Sequence, residues 1–179
     1  MFAKKRILIF LIFIAIFSIA YSIGSESKLS EDDSKSFIKQ FQGAVEGIDA
    51  IGIFEHNTSV ALPMFVPGFG VAWGSFAAWS TGVAFSALVS TNPMLAKLPA
   101  LALIFLSPFG VMEIVAYSIG MSRSFLLINA IVRRKQLGIE IRNTGIEVGI
   151  VIALLLTAGF IEYSMIQEFG STIANIKKP

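Results

Sequence analysis

The sequence predicts an all-α protein, a polytopic bundle of about five transmembrane helices with an amphipathic helix on the membrane surface. Hydrophobic residues make up 55% of the 179 residues and charged residues only 15%, whereas soluble domains contain about 45–50% apolar and about 25% charged residues. The apolar residues form runs of membrane-spanning length, and most charges lie between those runs. We therefore interpret residues 1–179 as a single membrane domain.

The first apolar run, residues 7–23, directly follows Lys4, Lys5 and Arg6. Ser18 and Ala20 leave open a secretory signal peptide with a small-residue cleavage site. The run is longer than the core of such a peptide, which has about 7–15 residues. We therefore predict an uncleaved transmembrane helix whose basic flank stays in the cytoplasm.

The hydrophilic stretch that follows predicts an amphipathic helix over residues 31–49, on the extracytoplasmic surface. Ser30 and Asp33 have the spacing of a helix cap. Beyond the cap, apolar residues recur within an arc of about 120° at 3.6 residues per turn. They are Phe37, Ile38, Phe41, Ala44, Val45 and Ile48. This arc needs another apolar surface to cover it.

Four further segments complete the predicted spans. As a helix, residues 51–66 would be about 24 Å long, short of the roughly 30 Å hydrocarbon core. If this segment crosses, the basic segment 123–143 lies on the same side as Lys4–Arg6, as the positive-inside rule requires. We therefore predict a multi-pass protein of the cell membrane with a cytoplasmic amino terminus. The five spans are residues 7–23, 51–66, 68–89, 98–120 and 146–161.

Small residues at four-residue spacing predict two helix-packing faces, because such residues let helix backbones approach closely in a membrane. One face lies in the third span and the other at the fifth. They comprise Gly70, Gly74, Ala78, Gly82 and Ser86, and Gly145, Gly149, Ala153 and Thr157. We expect the two faces to pack within the chain, with a seam between copies of the chain as the alternative.

Polar residues inside the spans form a candidate intramembrane site. A charge at mid-membrane costs about 2.5–3.5 kcal/mol on insertion scales, so each one needs a partner or a function. Glu113 lies deep in the fourth span, five residues after Pro108, which should kink the helix and free the carbonyl of Ile104. We expect Glu113 to pair with His56 or Asn57. The candidate site comprises Glu55, His56, Asn57, Thr81 and Glu113.

The chemistry that the chain offers argues against an enzyme. It has one histidine and no cysteine, and no catalytic, cofactor-binding or metal-ligating spacing is present. The basic residues mark topology, so we expect no nucleic acid partner. Arg133, Arg134 and Lys135 are expected to lie against anionic lipid headgroups, with an acidic protein as the alternative.

Read together, several motifs resemble the stage II sporulation protein M family of multipass membrane proteins, particularly its short archaeal-type members. The most distinctive is Ser107-Pro108-Phe109-Gly110-Val111-Met112-Glu113, which is similar to the family's Pro-His-Gly-x-x-Glu signature, with Phe109 in place of histidine. Thr81-Gly82 is similar to an Asn-Gly or Thr-Gly pair of the family. The segments Gly52-Ile53-Phe54-Glu55-His56-Asn57, Ala61-Leu62 and Pro67-Gly68-Phe69-Gly70 resemble its Phe-x-x-Asn helix and glycine turn.

The resemblance implies a membrane scaffold that recruits partners, the role of the sporulation member, without implying sporulation. We therefore expect a non-enzymatic scaffold or accessory subunit that binds other membrane proteins, in a hetero-complex or a homo-oligomer, within the lipid bilayer. The alternative is a small transporter or channel-like protein, with a polar path along the candidate intramembrane site.

Overall fold

The computed structural model describes residues 2–45, 47–91, 97 and 99–176, and these residues form helices joined by short turns without a strand. The all-α fold class is therefore confirmed. A short 3₁₀ helix, Leu62–Phe65, follows the third α-helix. The α-helices are α1 (Phe2–Ser25), α2 (Glu31–Val45), α3 (Ala50–Ala61), α4 (Phe69–Thr91), α5 (Ala100–Leu106), α6 (Pro108–Val132) and α7 (Leu137–Ile176).

Three helices in the described part of the chain are long and apolar enough to cross a membrane. Their candidate spans are Lys4–Ser25 in α1, Pro108–Val132 in α6 and Leu137–Glu168 in α7. α3 has only 12 residues, and α4, with 23, is rich in glycine, serine and threonine. The chain is thus a membrane protein with three candidate spans.

Contacts between the helices define their directions. Arg6, near the start of α1, hydrogen-bonds to Ser122, late in α6, whereas Tyr21, near the end of α1, donates to the carbonyl of Ala100, ahead of α6. α1 and α6 therefore run in opposite directions. α7 follows α6 after a short turn and packs back along it.

α3 runs beside α6 in the same direction, because Asn57 meets Glu113 and Val66 meets Ser124. The chain reverses at Gly68, whose φ of +78° favours glycine, and α4 then returns along α1. The described residues thus pass five times between two ends of the bundle. We call the end that holds the start of α1 and the α6–α7 turn the basic end, and the other the opposite end.

The fourth predicted span, residues 98–120, is divided into two helices. α5 ends at Leu106, Ser107 is extended, and Pro108 begins α6 at a position where its missing N–H costs little. The expected kink at Pro108 is therefore a complete break. The hydroxyl of Ser107 donates to the carbonyl of Ile104 at 3.1 Å, which satisfies the acceptor that the proline leaves free.

The predicted amphipathic helix is α2, shorter than residues 31–49 because the chain turns at Gly47, where φ is +73°. Its cap forms as expected, with the amide of Asp33 donating to the hydroxyl of Ser30. Phe37 and Ile38 are half-buried, and α4 supplies the surface that covers them. For Phe41, Ala44 and Val45, which belong to the predicted arc, the structure describes the backbone only, so this part of the prediction lies outside the described side chains.

α1 contributes the centre of the core. Phe13, Phe17 and Tyr21 recur on one side of this helix and are nearly fully buried. The Phe17 ring lies 5.7 Å from the ring of Tyr117 in α6. Aromatic pairs at this separation stabilise beyond the apolar area they bury. α1 is therefore an integral part of the packed bundle.

Candidate functional site

One polar pair lies inside the bundle, between α3 and α6. The side-chain amide of Asn57 donates to Oε1 of Glu113 at 2.7 Å. Asn57 is only 8% exposed. Of the two partners expected for Glu113, the structure therefore supplies the asparagine. The pair joins two neighbouring helices and satisfies one oxygen of the carboxylate.

The motif around Pro108 positions Glu113. Ser107 caps α6, because its hydroxyl accepts from the amide of Gly110 at 3.2 Å. A Cβ at Gly110 would overlap the Ser107 hydroxyl and crowd the carbonyl of Ile104, so the break between α5 and α6 requires glycine there. The first turn of α6 is thus fixed, and Glu113 follows in the second turn.

The remaining residues of the predicted polar site lie elsewhere. Glu55 and His56 are exposed on other faces of α3. Thr81 donates to the carbonyl of Ala77 in its own helix, and it lines an apolar cavity of about 220 Å³ between α1, α2 and α4. Of the five predicted residues, hydrogen bonds bring together only Asn57 and Glu113.

A larger polar cluster, which the sequence did not predict, lies at the basic end. Glu147 of α7 accepts from two arginines: Arg6 of α1, with Nε and Nη2 at 2.9 and 3.0 Å, and Arg123 of α6, with Nε at 2.8 Å and also Nη2. Arg123 also donates to Glu140 at 2.8 Å, and Arg6 donates to Ser122 at 2.9 Å. The cluster ties three helices together.

Charge balance and geometry explain how this cluster is tolerated. Arg123 is 3% exposed, and an unpaired charge at such a position would be strongly destabilising. Two arginines face two glutamates, so the cluster is neutral. Both arginines bind Glu147 through two nitrogens, the fork geometry that makes arginine–carboxylate pairs strong. The cluster therefore fixes how α1, α6 and α7 meet.

The small-residue face of α4 packs tightly inside the chain. A Cβ at Gly70 would overlap the carbonyl oxygen of Met64, one at Gly74 the side chain of Met121, and one at Gly82 the carbonyl oxygen of Tyr21. Ala78, on the same face, is fully buried. α4 therefore uses its small residues to approach α1, α6 and the 3₁₀ helix closely.

The small-residue face of α7 is not packed within the described chain. A Cβ at Gly145 or Gly149 would have no neighbour within 4 Å, and Ala153 and Thr157 are exposed. We call these four residues the open face of α7. This corrects the expectation that the two faces pack within the chain, because Val151, Leu155 and the Glu147 cluster turn the other side of α7 inward.

The open face belongs to a helix that the chain covers sparsely. In the most apolar stretches of α7 and of α1, 22% of the residues are buried inside the chain, against 61% for α6. α7 has 40 residues, about 60 Å at 1.5 Å per residue, twice the hydrocarbon thickness of roughly 30 Å. Much of α7 is thus available to surroundings other than this chain.

The described residues contain no group of three or more histidine, cysteine, aspartate or glutamate side chains that could hold a metal ion. Among the described residues, the Asn57–Glu113 pair and the arginine–glutamate cluster each join helices through hydrogen bonds between side chains.

Helices that alternate in direction, apolar outer faces and polar pairs between helices define a helical integral membrane protein. A family model described as stage II sporulation protein M matches residues 7–163. The chain therefore belongs to the stage II sporulation protein M family, as the motif at Pro108–Glu113 suggested. A search of curated proteins and a search of solved structures each found no match.

Proposed function

We propose that this protein is a non-enzymatic subunit of a plasma-membrane complex, which binds other membrane proteins through the open face of α7. The observation that carries the proposal is the contrast between this face and the same pattern on α4. On α4, Gly70, Gly74 and Gly82 are each covered by another helix or by the 3₁₀ helix, whereas Gly145 and Gly149 face open space.

The open face suits a partner helix because membrane helices associate by close backbone approach rather than by expelling water. A small-residue groove on α7 lets a partner backbone come near, as Gly82 does for α1. Lipid gains little from such a groove. A protein helix gains van der Waals contact along three turns, from Gly145 to Thr157.

We propose further that all five passes cross the membrane, with the basic end in the cytoplasm. From Arg6 to Ser25, α1 rises about 28 Å, close to the thickness of the hydrocarbon core. The arginine–glutamate cluster brings Arg6 and Arg123 together at one end, the arrangement that the positive-inside rule favours for the cytoplasmic side. A reporter fused after Thr91 would then be extracytoplasmic, and a cytoplasmic reporter would contradict the topology.

Blocking the open face tests the proposed function. Ala153→Leu should displace the protein from its native complex to the mass of the free subunit, measured on native gels of membranes solubilised in mild detergent. Ala72→Leu is the matched control, because Ala72 is an exposed alanine of α4. A parent protein that migrates only as a monomer, or equal behaviour of both variants, would refute the proposal.

The geometry supports this role over a polar transport path. Glu55, His56 and Thr81 lie away from the Asn57–Glu113 pair, so the five candidate residues do not line one route. We therefore expect the protein reconstituted into liposomes to conduct no ions, or to conduct them equally well after Glu113→Gln. Ion flux that Glu113→Gln abolishes would favour the alternative function, a transporter or channel.

A further inference from the structure

Six basic side chains lie exposed at the basic end, on three separate segments of the chain. We call them the basic patch. They are Lys4 and Lys5 at the start of α1, Arg133, Arg134 and Lys135 in the α6–α7 turn, and Arg142 in α7. We infer that the basic patch binds the phosphate headgroups of anionic phospholipids in the adjoining membrane leaflet.

The arginine–glutamate cluster leaves this patch uncompensated. Eight of the fourteen basic residues lie at the basic end, together with two acids, Glu140 and Glu147. Both acids are engaged by Arg6 and Arg123. Among the described residues, no ion pair involves a member of the patch. The end thus carries six positive charges in excess, whereas the rest of the chain, with six bases and ten acids, carries four negative charges in excess.

The depth of the patch matches a lipid headgroup layer. Lys4 and Lys5 directly precede Arg6, at the edge of the apolar part of α1. α6 continues for nine residues from Arg123 to Val132, about 14 Å, and carries the turn outward. The patch thus extends from the hydrocarbon edge through the headgroup layer, which is about 5–7 Å thick, and its outer part lies within about one Debye length of 8 Å from the phosphates.

The arrangement favours lipid over an acidic protein segment. The six charges come from α1, from the turn and from α7, so they belong to three separate parts of the chain rather than to one continuous segment. The phosphates of a membrane leaflet form a continuous layer that can contact all three parts at once. An acidic peptide would contact the basic patch from one side only.

Native mass spectrometry of the full protein, released from nanodiscs of mixed phosphatidylglycerol and phosphatidylcholine, tests the inference. The variant R133Q/R134Q/K135Q should reduce the apparent affinity for phosphatidylglycerol by about 100-fold, since each basic residue contributes about 1 kcal/mol and 1.4 kcal/mol is tenfold. The control K28Q/K39Q/K97Q removes the same charge from exposed lysines outside the patch and should retain the lipid. K4Q/K5Q/R142Q, a second variant of the patch, should behave like the first.

Three results would overturn the inference. The first is that the parent protein retains phosphatidylglycerol and phosphatidylcholine equally. The second is that the patch variants and the control variant lose phosphatidylglycerol equally. The third is unchanged lipid binding in both patch variants with loss of an acidic protein that co-purifies with the parent. Thermal unfolding of each variant identifies loss of fold, and Ala153→Leu, which tests the proposed function, should leave lipid binding unchanged.

Discussion

α4 and α7 carry the same pattern of small residues at four-residue spacing, and the molecule uses the two patterns differently. On α4, Gly70, Gly74 and Gly82 lie against backbone or side-chain atoms of neighbouring elements. On α7, a Cβ added at Gly145 or Gly149 would meet no other part of the described chain within 4 Å. The small-residue face of α4 is therefore covered by other parts of the chain, whereas the corresponding face of α7 is uncovered.

The difference shows that the opposite side of a helix decides where a small-residue face points. The other side of α4 carries four aromatic rings about 6 Å apart, of which Phe69, Phe76 and Trp79 are exposed and Trp73 is partly buried. The other side of α7 carries Glu147, Val151 and Leu155, which need the interior. Bulky aromatic residues turn the α4 glycines inward, and a carboxylate bound by two arginines turns the α7 glycines outward.

The largest expected effect comes from removing the group that holds α7 in this orientation. Glu147→Ala leaves Arg6 and Arg123 without their shared carboxylate, and breaking a buried ion pair on one side costs about 3–5 kcal/mol. Unfolding of the purified protein in increasing SDS, followed by tryptophan fluorescence, measures the loss.

Glu140→Ala is the control for that change, because Glu140 has one arginine partner and a side chain that is 26% exposed. It should destabilise the protein less than Glu147→Ala. Equal effects of the two variants would mean that the shared carboxylate does not determine the orientation of α7.

A leucine on each face compares α4 and α7 directly. Gly82→Leu places a side chain against the carbonyl of Tyr21, and overpacking of this kind costs about 1–3 kcal/mol. Gly149→Leu should change the free energy of unfolding by less than about 0.5 kcal/mol, as expected for an open surface site. The same SDS titration measures both. Loss of stability in Gly149→Leu would show that its face is packed after all.

Local rules predicted much of the fold. The Ser30–Asp33 spacing predicted the cap of α2, and Pro108 predicted an interruption with a freed carbonyl at Ile104, since both effects depend on neighbours within four residues. The Asn57–Glu113 pair could also be predicted from the sequence, because few polar residues occur inside the apolar segments and each needs a partner.

The sequence alone could not predict the arginine–glutamate cluster, nor which of the two small-residue faces packs inside the chain. Arg6 and Glu147 are 141 positions apart, and nothing local sets the rotation of α7 against α1. The distribution of basic residues did place Arg6 and Arg123 on one side. It did not identify the acid that joins them. Rotation of a helix about its own axis depends on all of its neighbours at once.

The smallest expected effect separates helix packing from partner binding. Asn57→Leu removes the amide that Glu113 accepts from, and hydrogen bonds between membrane helices contribute about 0.6 kcal/mol on average and at most about 1.7 kcal/mol. The double variant N57L/E113L should recover part of the loss, because replacing both partners leaves no unpaired buried group. Neither variant alters the open face, so both should remain in the native complex on native gels. If Asn57→Leu released the subunit while its fold stayed intact, partner binding would depend on the polar pair rather than on α7, and the contrast between the closed and open faces would lose its functional meaning.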